Sequence, residues 1–203
     1  MKKVAIINYG MGNVLSVQKA LNALNVPSVI SDNAEEINDC THIILPGVGS
    51  FKKAMSNLRE KNLVDILHRE VREKGKPFMG ICLGMQLLAK RGYEDGETEG
   101  LGFIEGQVEV IPDHGLPATH IGWNNITITN DAFFRNINDN NFYFVHSYYF
   151  NVSSPSDVAA TVEYGSKLVA AVQKGNVFGT QFHPEKSQEE GLKVLQSFLQ
   201  GHA

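Results

Sequence analysis

The run Phe78-Met79-Gly80-Ile81-Cys82-Leu83-Gly84-Met85-Gln86-Leu87-Leu88 decides how this chain folds. Its first half is a continuous apolar stretch, the mark of a strand buried on both faces, and its second half carries helix-like leucines. Cys82 stands at the junction. Glycines two before and two after it let the backbone turn sharply and leave the sulfur uncrowded, the logic of a nucleophile elbow written with sulfur instead of oxygen. The unpaired N–H groups at a helix start also favour a thiolate, lowering the pKa from a free value of about 8.5. A buried cysteine serving as a small hydrophobe is the competing reading. A base elsewhere in the chain decides between them.

Upstream of this run, strands and helices alternate. Val4 to Asn8 is another apolar strand. Asn13 can cap a helix whose Val14, Val17, Leu21 and Leu24 recur at spacings of three and four, and Pro27 ends it. Short strands follow at Ser28–Ser31 and His42–Leu45, then helices around Lys52–Leu58 and Leu63–Glu73. Such alternation predicts a parallel sheet covered by helices, with ligands gathering at the carboxyl ends of the strands, where Pro46-Gly47-Val48-Gly49 and Cys82 both fall.

Downstream the chain is strand-rich, with segments at Phe103–Ile111, Thr119–Thr129, Phe142–Phe150, Val158–Glu163 and Leu168–Phe182. Lys174-Gly175-Asn176 reads as a hairpin turn within the last. A final helix is predicted from Ser187, with Glu190 three residues later completing a capping box and Leu192, Leu195 and Leu199 on one face. No repeat or linker divides residues 1–203, so one domain is expected. The fold class is α/β, a three-layer sandwich of flavodoxin type with a mixed, mostly parallel central sheet and helices on both faces.

The candidate base lies about a hundred residues past Cys82, in Gly179-Thr180-Gln181-Phe182-His183-Pro184-Glu185. Pro184 holds His183 extended and ends the strand, so His183 and Glu185 can project from one rigid corner. A carboxylate two residues from an imidazole can accept its N–H, orient the ring and leave the other nitrogen to take a proton from sulfur. Cys82, His183 and Glu185 then make a catalytic triad. An oxyanion formed on attack would need preplaced donors; the N–H of Leu83 is one, and Gly47-Val48-Gly49 could supply another.

An elbow Gly-x-Cys-x-Gly with a distal His-Pro-Glu resembles the class I glutamine amidotransferases. The resemblance extends, in order, through Ile6-Ile7-Asn8-Tyr9-Gly10-Met11-Gly12-Asn13, Leu45-Pro46-Gly47-Val48-Gly49-Ser50-Phe51, Ile121-Gly122-Trp123-Asn124, Phe144-Val145-His146-Ser147-Tyr148 and Gly179 to Ser187. Taken together these stretches are similar to the glutaminase subunits of imidazole glycerol phosphate synthases. Asn8, where those subunits more often carry aspartate, is a departure that leaves the triad untouched. The resemblance implies L-glutamine as substrate, contacted by Gly49, Gln86, Glu94 and the His146-Ser147-Tyr148 segment. It also implies a heterodimer with a (β/α)8-barrel cyclase subunit that receives the ammonia. Asn13, Trp123, Tyr143 and Lys186 resemble positions facing that subunit, although a core aromatic is the other reading of Trp123, the single tryptophan. A glutaminase serving another synthase, such as the one that makes pyridoxal phosphate, would share the triad but lack the Asn8–Asn13 and Gly122-Trp123-Asn124 signatures. An elbow cysteine acting as a redox sensor would leave the spacing of His183 and Glu185 unexplained.

Composition is that of a globular chain rather than a disordered one. At 203 residues, 42% hydrophobic and 20% charged, the chain is long enough to bury a substantial core. A formal net charge of -4 provides no electrostatic reason to expect nucleic acid. No apolar run approaches the roughly 20 residues that span a bilayer. The two cysteines, Cys40 and Cys82, have no metal-ligand spacing, and a reduced nucleophile favours the cytoplasm. Neither metal nor cofactor is expected, and the lack of a P-loop leaves the acceptor chemistry to a partner.

Overall fold

Val4-Ala5-Ile6-Ile7 forms a strand, β1 (Val4–Ile7), in which every residue is buried. Alternate side chains leave a strand on opposite faces. Here Val4 and Ile6 enter one apolar cluster while Ala5 and Ile7 enter another. The sheet is therefore the middle layer between two cores. In the computed structural model, which describes residues 2–130 and 134–201, α1 (Val14–Ala23) follows, with the Asn13 side chain accepting from the Ser16 N–H as its cap. β2 (Ser28–Ser31), α2 (Ala34–Asn38), β3 (His42–Gly47), α3 (Phe51–Glu60) and α4 (Leu63–His68) lead to β4 (Phe78–Cys82) and the single turn α5 (Leu83–Gln86).

The remaining strands are β5 (Arg91–Gly92), β6 (Thr98–Glu99), β7 (Gly106–Val110), β8 (His120–Ile128), β9 (Asn141–His146), β10 (Tyr148–Val152), β11 (Val158–Tyr164), β12 (Ser166–Lys174) and β13 (Val177–Thr180), before α6 (Gln188–Gln200). Among the described residues, nine strands form one sheet in the order β2-β1-β3-β4-β13-β12-β11-β8-β9. The first five of these run parallel, and the rest pair antiparallel. The parallel block has the doubly wound strand order of flavodoxin-type sheets. Residues of α1 and α6 close one face of it, and those of α3 and α4 the other. This is the expected mixed α/β sandwich.

Three details differ from the sequence reading. The Phe142–Phe150 segment is two strands, because the chain leaves the large sheet at Ser147 and enters a second, four-stranded sheet ordered β10-β7-β5-β6. Buried Val108 and Phe150 of that sheet join the core beneath α3 and α4. The predicted capping box at α6 does not form: Ser187 makes no side-chain cap, its hydroxyl instead donating to His183 O and accepting from the Tyr143 N–H. Glu190 accepts from the Asn138 N–H and pairs with Lys193. The tertiary contacts of the His183 corner outcompete the local cap. Finally, the helix predicted to Glu73 changes to a π-helical turn at Arg69–Glu73, where the buried Glu70 carboxylate meets Arg69, Lys74 and Lys76. Those three cations hold its carboxyl, against burial, down at about 2.

Candidate active site

Cys82 ends β4 with φ 55 and ψ -111, a backbone conformation that a side chain rarely adopts. The flanking glycines explain how the turn is held. A Cβ on Gly84 would lie 1.8 Å from Leu45 O, and one on Gly80 would lie 2.4 Å from Gly84 O. β3, β4 and the first turn of α5 are pressed together with no room for a methyl group, and Cys82 is itself buried at 6% exposure. Its thiol donates to Val145 O at 3.7 Å.

β13 lies parallel to β4, and its continuation carries His183 to the same end of the sheet. His183 Nδ1 donates to Glu185 Oε1 at 2.8 Å, and both side chains are 2% exposed. Nε2 is buried and makes no hydrogen bond among the described residues. Burial works against a charge on this ring, but Cys82 and Glu185 outweigh it and hold the imidazole up at about 9. The sulfur is thus an electrostatic partner of the ring even while its own hydrogen bond goes to Val145. The acid–base pair and the thiol that the sequence suggested are brought together here.

A cavity of about 460 Å³ opens over the thiol, lined among others by Val48, Gly49, Glu94, His146, Ser147 and Tyr148. Gly47 pairs with Cys82 across β3 and β4, so Val48 and Gly49 follow directly beside Cys82 and line the same cavity. The segment Tyr9–Gly12 buttresses this loop: a Cβ on Gly47 would meet the Tyr9 hydroxyl at 2.5 Å, and one on Gly12 would meet Pro46 O at 2.7 Å. Leu83 begins α5 on the other side. Glu94 accepts from the Phe51 N–H at 2.7 Å and so fastens the far rim to the start of α3.

His146 is less free than its place in the cavity suggests. Nδ1 is bonded to Tyr148 O at 2.8 Å and Nε2 to His120 Nδ1 at 3.0 Å, while His120 Nε2 meets Asn124 Nδ2 at 3.1 Å. A carbonyl can only accept, so the protons are determined in turn. Asn124 donates to His120, His120 to His146, and His146 to Tyr148 O, with both rings neutral. Burial pushes both imidazoles down to about 4, in keeping with that chain. His120 is further held by stacking on Phe144 and Tyr164.

The four residues read as partner-facing fall near one another on the surface. Trp123 is 48% exposed and Ile121 64%. The Trp123 ring lies edge-on to Tyr143, 6.1 Å between centroids, and Lys186 Nζ stands 5.9 Å over the Tyr143 ring. Asn13 caps α1, which packs against the Pro184–Lys186 turn. Trp123 is therefore a surface residue and not a core aromatic. His120, Val145 and Gln181 were not singled out from sequence; the one signal for Gln181 was a polar side chain inside the apolar run Val177–Phe182.

Comparison with known proteins agrees with this geometry. The family model described as glutamine amidotransferase class-I matches residues 5–201. The chain is 48% identical over 200 residues to the imidazole glycerol phosphate synthase subunit HisH of Moorella thermoacetica, covering 98% of this chain and 94% of that protein. It is 44% identical over 199 residues to the subunit HisH of Aquifex aeolicus, covering 97% and 95%. Among solved structures, PurLQS from Thermotoga maritima superposes with a TM-score of 0.76 at 24% identity, covering 98% of each chain. A structure described as a glutamine amidotransferase does so with a TM-score of 0.75 at 21% identity, covering 97% of each. These two show the fold alone. With an elbow cysteine, a His–Glu pair and a family match along nearly its whole length, the chain belongs to the class-I glutamine amidotransferases.

Proposed function

We propose that residues 1–203 act as one glutaminase unit, the glutamine-hydrolysing subunit of an imidazole glycerol phosphate synthase. The observation that carries the reading is a strained elbow cysteine lining a cavity, with a buried His183–Glu185 pair just past β13, the strand that lies parallel to β4. Cys82 as thiolate attacks the side-chain carboxamide of L-glutamine. The oxyanion is received by the Leu83 N–H and by the Gly47-Val48-Gly49 loop. His183, held charged by Cys82 and Glu185, gives its proton to the departing nitrogen; the oxyanion collapses, the C–N bond breaks, and ammonia departs to leave a thioester on Cys82. The same imidazole, now neutral, deprotonates a water that hydrolyses the thioester, releasing glutamate and restoring the thiolate–imidazolium pair. Gly49, Gln86, Glu94 and the His146–Tyr148 segment hold the amino acid.

Ammonia would pass to a (β/α)8-barrel cyclase subunit in a heterodimer, docked over Asn13, Trp123, Tyr143 and Lys186. The exposed apolar stripe of Ile121 and Trp123 beside the catalytic end of the sheet supports that placement. The reading also keeps the protein in the cytoplasm, where Cys82 stays reduced; among the described residues no helix is long and apolar enough to cross a membrane. Cys82→Ala should abolish glutamine hydrolysis while synthesis from added ammonium salt persists in the complex with the cyclase. Loss of both activities would contradict the division of labour.

A further inference from the structure

Gln181 is completely buried, and its amide sits between Gln86 and the sulfur of Cys82. Which end of it faces the sulfur follows from an unambiguous acceptor. Gln86 Nε2 lies 2.9 Å from Tyr148 O, so that end of Gln86 must be the nitrogen. The same nitrogen lies 3.0 Å from Gln181, which must therefore present its oxygen. The amide nitrogen of Gln181 is left pointing at Cys82 Sγ, 3.6 Å away.

We propose that Gln181 is a catalytic residue that donates an N–H to the Cys82 sulfur and stabilises it as a thiolate, with Gln86 acting as the positioning residue that prevents the amide from flipping. A hydrogen bond to an ionised acceptor is stronger than one to a neutral acceptor, so the donor favours the attacking form over the resting thiol. The main chain of Gln181 is tied to β12 by its N–H donating to Ala170 O at 2.8 Å, so the donor is held rigidly. Two residues on, His183 is the electrostatic partner of the same sulfur. One strand end thus delivers both the proton acceptor and the donor that stabilises the charge left behind.

The proposal rests on Cys82 being the nucleophile, and a readout that needs no glutamine separates the two claims. The rate of Cys82 alkylation by iodoacetamide is followed against pH in the full chain, with peptide mass spectrometry distinguishing Cys82 from Cys40. Gln181→Met and Gln181→Leu both remove the donor without adding charge. Both should raise the midpoint by about one pH unit and slow alkylation at neutral pH about tenfold. In the wild-type chain the side-chain amide resonance of Gln181 should shift with the same midpoint, a measurement that needs no variant to fold. An unchanged midpoint in the folded variants, or an amide indifferent to the titration of the thiol, overturns the proposal. Normal alkylation behaviour with no glutamine turnover in the complex with the cyclase would instead overturn the glutaminase reading.

Discussion

Gly47 lies opposite Cys82 in the parallel register of β3 and β4. The Gly47-Val48-Gly49 loop and Cys82 are thus at neighbouring strand ends, and Gly49 in that loop has φ 100. A partner that shifts this loop by a peptide rotation could switch hydrolysis on without moving the sulfur.

The strain at Cys82 is measurable. Cys82→Ala and Cys82→Gly both lack the thiol, but only glycine is at ease at φ 55. The glycine variant should be the more stable by about 1 kcal/mol, against the usual order at a regular position. Urea unfolding midpoints decide; an alanine variant equal to or more stable than the glycine would mean that the elbow is relaxed.

His120→Phe retains the aromatic stack on Phe144 and Tyr164 but removes the donor to His146. The His146–Tyr148 rim of the cavity should loosen, raising KM for glutamine severalfold with a smaller effect on kcat. Steady-state kinetics of the complex test this, and an unaltered KM would make the histidine chain irrelevant to binding.

The histidines set opposite pH limits. His120 and His146 take protons near 6.5 when unfolded and only near about 4 when folded, so stability should fall as pH drops from about 6.5 towards about 4. His183 has the reverse sign: its contribution is fully present below about 6.5 and is lost as pH rises through about 9. The thermal midpoint should therefore be highest near pH 6.5 and decline on both sides of it. His183→Asn should remove its share of the alkaline decline.

Glu70 ties the π-helical turn to Lys74, Lys76 and Arg69 from a fully buried position. Glu70→Ala leaves the Lys76 ammonium, itself only 10% exposed, without its carboxylate. The cost should be about 3 kcal/mol, the lower end for a buried pair because Arg69 and Lys74 reach water. The carboxylate's contribution is present above about 4.5 and is lost as pH falls through about 2. Denaturant titration at pH 7 gives the first number, and a change below 1 kcal/mol would place the network among weak surface pairs.

Trp123→Ala removes an exposed ring and should alter the stability of the chain by less than about 1 kcal/mol. If the stripe docks the cyclase, affinity should fall about thirtyfold, as for a hot-spot aromatic. Calorimetric titration against the cyclase distinguishes this from an idle surface residue.

Continuous apolar runs and helical hydrophobic spacing made the parallel block legible, because β1, β3 and β4 are buried on both faces. The break at Ser147 was invisible: Phe142–Phe150 stays strand-like throughout, and the switch between sheets is set by which neighbours offer free backbone groups. Glu190 had the spacing of a cap, yet the His183 corner took the Ser187 hydroxyl, since a buried backbone group left unpaired costs more than a surface cap contributes.

Residues 78–88 and 179–185 by themselves determined a sulfur on an elbow and an imidazole beside a carboxylate, because glycine and proline restrict the local backbone whatever surrounds it. Only the tertiary structure decided which atoms meet. β13 crosses back to lie beside β4, and that non-local pairing brings His183 and Gln181 to Cys82. Hydrogen bonds through Tyr148 O then orient Gln86, Gln181, His146 and His120, whose partners lie up to a hundred residues away and leave no periodicity in the chain.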